Sequence, residues 1–228
     1  MKTVALFGGS FNPPHLGHFE MAKFIHETLK TDEVWFLFSV NWQKNPAHYA
    51  SPNHRMEMGN ILAKEFSDCP FVMSNIQEDL KTHDTYDVLQ ALKERYPDTR
   101  FIWIMGADNL NSFHTWKNAD LIMEQHAIAV LQRPPYTQQS LLSQTALSYA
   151  HLKTQNPLDL RSGDSGWSML NNPEIDLSSS ALLQNLNRDI ESIDSRYKAV
   201  IEYMKQHKLY AFKEENDSSP QFTTRNFG

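Results

Sequence analysis

The 228-residue chain carries a single cysteine, Cys69, which excludes an intramolecular disulfide. It has no apolar run near the roughly 18 residues that a membrane helix needs. The opening MKTVALFGG turns polar too early for a secretory leader. Basic residues are also short: 21 Lys and Arg stand against 27 Asp and Glu, a formal charge of −6. Without a broad basic field, neither nucleic acid nor an anionic membrane surface is expected as a partner, and only a local basic pocket could hold an anion. No Gly-Lys-Ser/Thr follows the first glycines, so there is no P-loop, and no Cys/His/Asp/Glu set has zinc spacing. These absences point to a soluble, cytoplasmic protein that acts on a small ligand. An oligomer interface looks like core in a sequence, so a homo-oligomer stays open.

What is present is a core. At 40% hydrophobic content the chain can form one large domain, expected over residues 1–212, with a helical C-terminal part over 178–212 and a polar, frayed tail over 213–228. Short runs rich in β-branched and aromatic residues read as buried strands: TVALFG (Thr3 to Gly8), EVWFLFSV (Glu33 to Val40), FVMSN (Phe71 to Asn75), RFIWIMG (Arg100 to Gly106) and AIAVLQR (Ala127 to Arg133). GWSML is a candidate sixth. Helix-length segments separate them, and QSLLSQTALSYAHL reads as one further helix. Strand-helix alternation predicts an α/β fold: a doubly wound parallel sheet of five to six strands with helices on both faces. Such a sheet carries its ligand at the carboxyl ends of the strands, where the strand order reverses.

The stretch LFGGSFNPPHLGHFEMA lies at such a strand end. Gly8 and Gly9 let a ligand approach main-chain NH groups closely, while Pro13 and Pro14 stiffen the loop into a helix expected to start near Gly17. His15 and His18 are i, i+3 and share a face. A phosphate there would meet NH groups, a helix N-terminus and two imidazoles. A Gly-Gly pair or a His-x-x-His alone is a weak signal; the whole string is a strong one.

GGSFNPPHLGH resembles the signature of the nucleotidyltransferases that carry an H-x-G-H motif, here His15-Leu16-Gly17-His18, and within them the nicotinate-nucleotide adenylyltransferase family. The likeness runs from about Lys2 to Leu209. It implies a Rossmann-like fold and adenylyl transfer from ATP to nicotinate mononucleotide, with Mg²⁺ held mainly by the phosphates. Gly8, Gly9, Ser10 and Phe11 would contact ATP, and His15, His18 and Lys44 would be catalytic. In NWQKNP, Gln43 stands where the family has a histidine beside the lysine. THDTYDVLQALK matches the family at Thr85 and Asp87 and departs from it at His83, Asp84 and Val88. Thr85, Trp116 and Arg133 would bind nicotinate mononucleotide, the tryptophan by stacking on its ring and the arginine as a fork for phosphate or carboxylate. Gly106 and Asp108 of MGADN would line the adenosine side.

The last motif departs most. The family's I-S-S-T-x-I/L-R is Leu177-Ser178-Ser179-Ser180-Ala181-Leu182-Leu183 here. Ser179 and Ser180 keep hydroxyls and NH groups for ATP. The arginine has become Leu183; Gln184 lies about 100° further round the helix, and Arg188 is the nearest replacement. Two alternatives stay open: nicotinamide mononucleotide or another phosphate as acceptor, and a nucleotide-binding protein of little activity.

Overall fold

The structure, a computed structural model, describes residues 1–39, 49–163, 165–175, 177–186, 188 and 193–211. Its strands are β1 (Lys2–Gly9), β2 (Glu33–Phe38), β3 (Phe71–Ser74), β4 (Thr99–Gly106), β5 (Ala127–Leu131) and β6 (Gly166–Leu170). Between and after them come α1 (Leu16–Leu29), α2 (Pro52–Ala63), α3 (Ile76–Leu80), α4 (Thr85–Arg95), α5 (Ala107–Ser112), α6 (Ala119–Gln125), α7 (Tyr136–Leu141), α8 (Gln144–Ser148), α9 (Ser179–Leu186) and α10 (Lys198–Gln206).

All six strands are parallel, in the order β3-β2-β1-β4-β5-β6. Two-residue periodicity divides the strand side chains between two faces. Ala5, Phe36, Ile102 and Ala129 point to one, where α1, α2 and α10 bury Phe19, Ile25, Met58, Leu62, Val200 and Met204. Val4, Leu6, Leu37, Trp103 and Ile128 point to the other, against Val88 and Leu92 of α4, Leu110 of α5 and Ile122 of α6. Both faces are covered, which is why the strands are nearly all apolar. The order reverses between β1 and β4, so the carboxyl ends of these two strands flank an open crevice.

Three details differ from the sequence expectation. α1 begins at Leu16 with His15 as its extended N-cap, one residue before Gly17. The segment over 139–152 is divided between the end of α7, α8 and a 3₁₀ turn, because the Ser143 hydroxyl accepts the Ala146 amide and starts a new helix. β5 stops at Leu131 because the next two amides leave the ladder: Gln132 N–H donates to Asn172 Oδ1 at 2.6 Å and Arg133 N–H to the Thr137 hydroxyl at 2.9 Å. GWSML, the candidate sixth strand, forms β6 and pairs parallel with β5 as expected. Val40 and the tail over 213–228 lie outside the described residues.

Phe19 holds the first face together, with its ring 4.7 Å from that of Phe36, 5.5 Å from Phe66 and 5.6 Å from Phe71. Phe19→Ala is expected to cost about 3–5 kcal/mol, read as a lowered urea midpoint in equilibrium unfolding.

Candidate active site

A cleft of about 420 Å³ opens at the crevice between β1 and β4. Gly8, Gly9 and Phe11 line it from β1 and the loop after it, and His15, Gly17 and His18 from the start of α1. Gly106, Asp108 and Asn109 line it from the β4–α5 junction, Gln132 and Arg133 from beyond β5, and Asn172, Glu174, Ile175 and Leu177 from beyond β6. Two of the glycines are required by close approach. A Cβ on Gly9 would stand 2.8 Å from the Phe11 ring, and one on Gly17 would meet Ile175 and Leu177 at 3.0 Å and the His15 imidazole at 3.1 Å.

The two imidazoles stack, with centroids 3.6 Å apart and planes 23° from parallel. The His15 main-chain N–H donates to His18 Nδ1 at 3.2 Å. With Nδ1 an acceptor, the single proton of a neutral His18 sits on Nε2, leaving an N–H donor for a ligand. The Phe11 ring meets the His18 ring edge-on at 4.9 Å and holds its plane. Burial lowers the His15 pKa to about 4, and burial together with the His15 charge holds His18 well below its ordinary value. At neutral pH both are uncharged, so the cleft offers N–H dipoles in place of imidazolium ions.

The loop that carries these histidines contains Pro13 and Pro14, which lack N–H groups, and its acceptors are met by donors from the C-terminal part. The Ser179 hydroxyl donates to the Pro13 carbonyl at 2.8 Å, the buried Tyr197 hydroxyl to the Pro14 carbonyl at 2.7 Å, and the Tyr210 hydroxyl to Asn12 Oδ1 at 2.8 Å. Asn12 Oδ1 also receives the Ala50 N–H at 3.0 Å. On the far wall Arg133 Nη1 lies 3.3 Å from Asp108 Oδ2, an exposed pair worth little to stability. The other carboxylate oxygen, Oδ1, packs where a Cβ on Gly106 would come within 2.4 Å of it, so a side chain at 106 would evict Asp108. Asn172 ties the loop after β6 to the loop after β5: besides accepting the Gln132 amide, its Nδ2 donates to the Gln132 carbonyl at 3.1 Å.

The cleft thus gathers Gly8, Gly9, Phe11, His15, His18, Gly106, Asp108 and Arg133 of the residues expected from the sequence. Ser10 is exposed beside it. Ser179 is committed to Pro13, and Ser180 follows it in the first turn of α9. Thr85 and Trp116 are half-buried and not part of the cleft lining; Trp116 packs on Phe113 at 4.9 Å. They belong to neighbouring segments joined by Lys117, whose ammonium bonds Asp87 at 2.8 Å and Asp84 at 3.5 Å. Lys44 lies outside the described residues. Leu183 is half-buried against the core, and Arg188 is exposed. Sequence reasoning passed over Asn172, Tyr197, Tyr210 and Arg55. Two of them left a signal: Arg55 as a charge spaced with Met58, Gly59 and Leu62 on one helix face, and Tyr197 by its helical spacing with Val200, Ile201 and Met204.

The model of the Cytidylyltransferase-like family matches residues 6–185. The "Probable nicotinate-nucleotide adenylyltransferase" of Ruegeria sp. (strain TM1040) is 37% identical over 186 residues, which span 79% of this chain and 95% of that protein. Its namesake in Brucella suis is 34% identical, over 79% of this chain and 93% of its own. The chain belongs to the nicotinate-nucleotide adenylyltransferase family. A solved structure of Plasmodium falciparum nicotinic acid mononucleotide adenylyltransferase, complexed with APC, shares the fold of this family member with a TM-score of 0.66 at 19% identity, covering 93% of this chain and 99% of that one.

Acid should weaken this family member through its buried imidazoles. His15 and the buried His126, whose pKa burial and Lys93 lower to about 4, hold protons less tightly when folded than at the ordinary value of 6.5. The unfolded chain therefore binds more protons between these values: stability is full above about pH 6.5 and falls as pH drops toward 4. Urea unfolding across that range is expected to show the decline, and His15→Asn, which keeps an N-cap side chain, to make it shallower.

Proposed function

We propose that this chain transfers the adenylyl group of ATP to nicotinate mononucleotide, forming nicotinate adenine dinucleotide and pyrophosphate in NAD biosynthesis. The observation that carries the reading is the pair of stacked, neutral histidines beside Gly8 and Gly9 at the strand-order reversal, in a chain whose relatives are named for this reaction. A phosphate oxygen of the mononucleotide attacks the α-phosphorus in line. The bond from that phosphorus to the bridging oxygen of the β-phosphate breaks, and pyrophosphate leaves with the electron pair. No enzyme nucleophile takes part; the protein positions the reactants and stabilises charge.

In this reading His18 Nε2–H and the His15 imidazole donate to phosphate oxygens, strengthening as negative charge moves onto the leaving group. Arg133 suits the mononucleotide's phosphate or carboxylate, since its guanidinium is exposed at the cleft and only loosely paired with Asp108. Asp108 accepts from ribose hydroxyls, Trp116 stacks on the pyridine ring, Thr85 binds beside it, and Lys44 adds a cation to the phosphates. Ser10 and Ser180 supply hydroxyls and main-chain amides to ATP, while Ser179 acts by holding Pro13. Asp108 and Glu174 are the acidic residues lining the cleft, and among the described residues no three metal-ligating side chains cluster. That donor set fits Mg²⁺ that arrives on the triphosphate, where it would neutralise phosphate charge. A cytoplasmic setting suits both substrates.

Pyrophosphate release from ATP and Mg²⁺ tests the reading. Turnover with nicotinate mononucleotide is expected to exceed that with nicotinamide mononucleotide, and His18→Ala to lower it by at least about 100-fold with the fold intact. A variant with near-normal rate removes the role given to the motif. Leu183 already packs on the core, so Leu183→Arg should change kcat/KM for ATP by less than about 10-fold. Turnover that appears only in Leu183→Arg would make the natural chain a nucleotide-binding protein.

A further inference from the structure

Arg55 is fully buried, on the face of α2 that carries Met58 and Leu62 into the core. Its fork reaches three separated segments. Nε–H donates to the Ala50 carbonyl at 2.9 Å, Nη1 to the Ser10 carbonyl, and Nη2 to the Ser39 carbonyl at 2.9 Å. The guanidinium lies 4.6 Å from the centre of the Tyr49 ring and 5.9 Å from that of Phe38. Among the described residues no carboxylate forms an ion pair with it. Burying a charge whose described hydrogen-bond partners are neutral carbonyls is costly, and a neutral side chain of similar size would have filled the space at less expense to the fold.

The partners show what the charge does. Ser10 directly follows Gly9, Ser39 follows β2 and donates its N–H to the Gly9 carbonyl at 2.9 Å, and Ala50 leads into α2 while donating to Asn12. These contacts converge on residues 9–12, which precede His15: on the Gly9 and Ser10 carbonyls and on the Asn12 side chain. Arg55 itself does not line the cleft, and the N–H groups described all point to carbonyls. It can therefore act on a ligand only through the loop.

We propose that Arg55 is a positioning residue for the nucleotide-phosphate subsite, holding the Ser10 carbonyl away from the ligand so that the Gly9–Phe11 main chain keeps the form that receives the triphosphate. The assignment rests on the adenylyl-transfer reading above. A lysine keeps the charge but is a point donor that cannot bond three diverging carbonyls, so the fork, more than the charge, is what the subsite needs.

The test compares wild type, Arg55→Lys and Arg55→Met by calorimetric titration with α,β-methylene-ATP, steady-state kinetics and thermal unfolding. Both variants are expected to lose about 30-fold or more in kcat/KM for ATP and to bind the analogue correspondingly more weakly. The KM for nicotinate mononucleotide should stay within about twofold, a split that general loosening of the fold would not give. Wild-type affinity and kcat in a folded Arg55→Lys would overturn the proposal. So would equal losses toward both substrates, or failure of both variants to fold, which would assign Arg55 to the core alone. Wild type that binds the analogue but turns over no mononucleotide would refute the acceptor reading and leave the Arg55 comparison standing on analogue affinity.

Discussion

Two consecutive prolines deprive the segment ahead of α1 of the main-chain donors that close an ordinary turn, so its shape has to be imposed by hydrogen bonds from elsewhere. Arg55 takes the Ser10 carbonyl from one side, and Ser179, Tyr197 and Tyr210 take Pro13, Pro14 and Asn12 from the other. A loop held at both ends delivers His15 to the N-cap of α1 in extended backbone, which lets its N–H choose the tautomer of His18. The C-terminal helices are thus part of the site without lining it. They are separated from it by more than 160 residues of chain, and their hydroxyls fix the geometry that the histidines need.

The electrostatic character of the cleft follows from burial. An exposed His-x-x-His would titrate near neutrality; stacked on each other, buried, and with Phe11 against His18, these two stay uncharged. Arg133 is shared with Asp108, and Glu174 adds a further carboxylate to the lining. Among the described residues the cleft therefore carries little net positive charge. Dipoles fixed in advance also need no reorganisation when charge moves in the transition state.

Leu183 fits the same economy. At this position the helix turns its side chain toward the core, where Leu183 packs beside Leu182 and the buried Leu186. An arginine there would exchange apolar contact for a charge at the surface. The serines ahead of it are divided between local and tertiary tasks: Ser178 caps α9 by accepting the Ala181 amide at 3.1 Å, and Ser179 bonds Pro13.

The sequence alone determined the sheet and the strand ends at which the cleft opens. Short continuous apolar runs specify buried strands, alternation with helices specifies parallel pairing, and Gly-Gly followed by Pro-Pro-His marks a strand end made for close approach. These are local signals, and all six strands were legible from them, GWSML least strongly. Only the tertiary structure decided the protonation of the histidines, the use of Ser179 as a tie, the clip of Asn172 across two loops, and the burial of Arg55 against three carbonyls. Each of these depends on atoms brought together from distant parts of the chain, and a hydroxyl, amide or guanidinium in a sequence does not say which carbonyl it will meet. Trp116 illustrates the division: the family resemblance implied a stacking platform, and the path of the chain beyond β4 decided that its ring packs on Phe113.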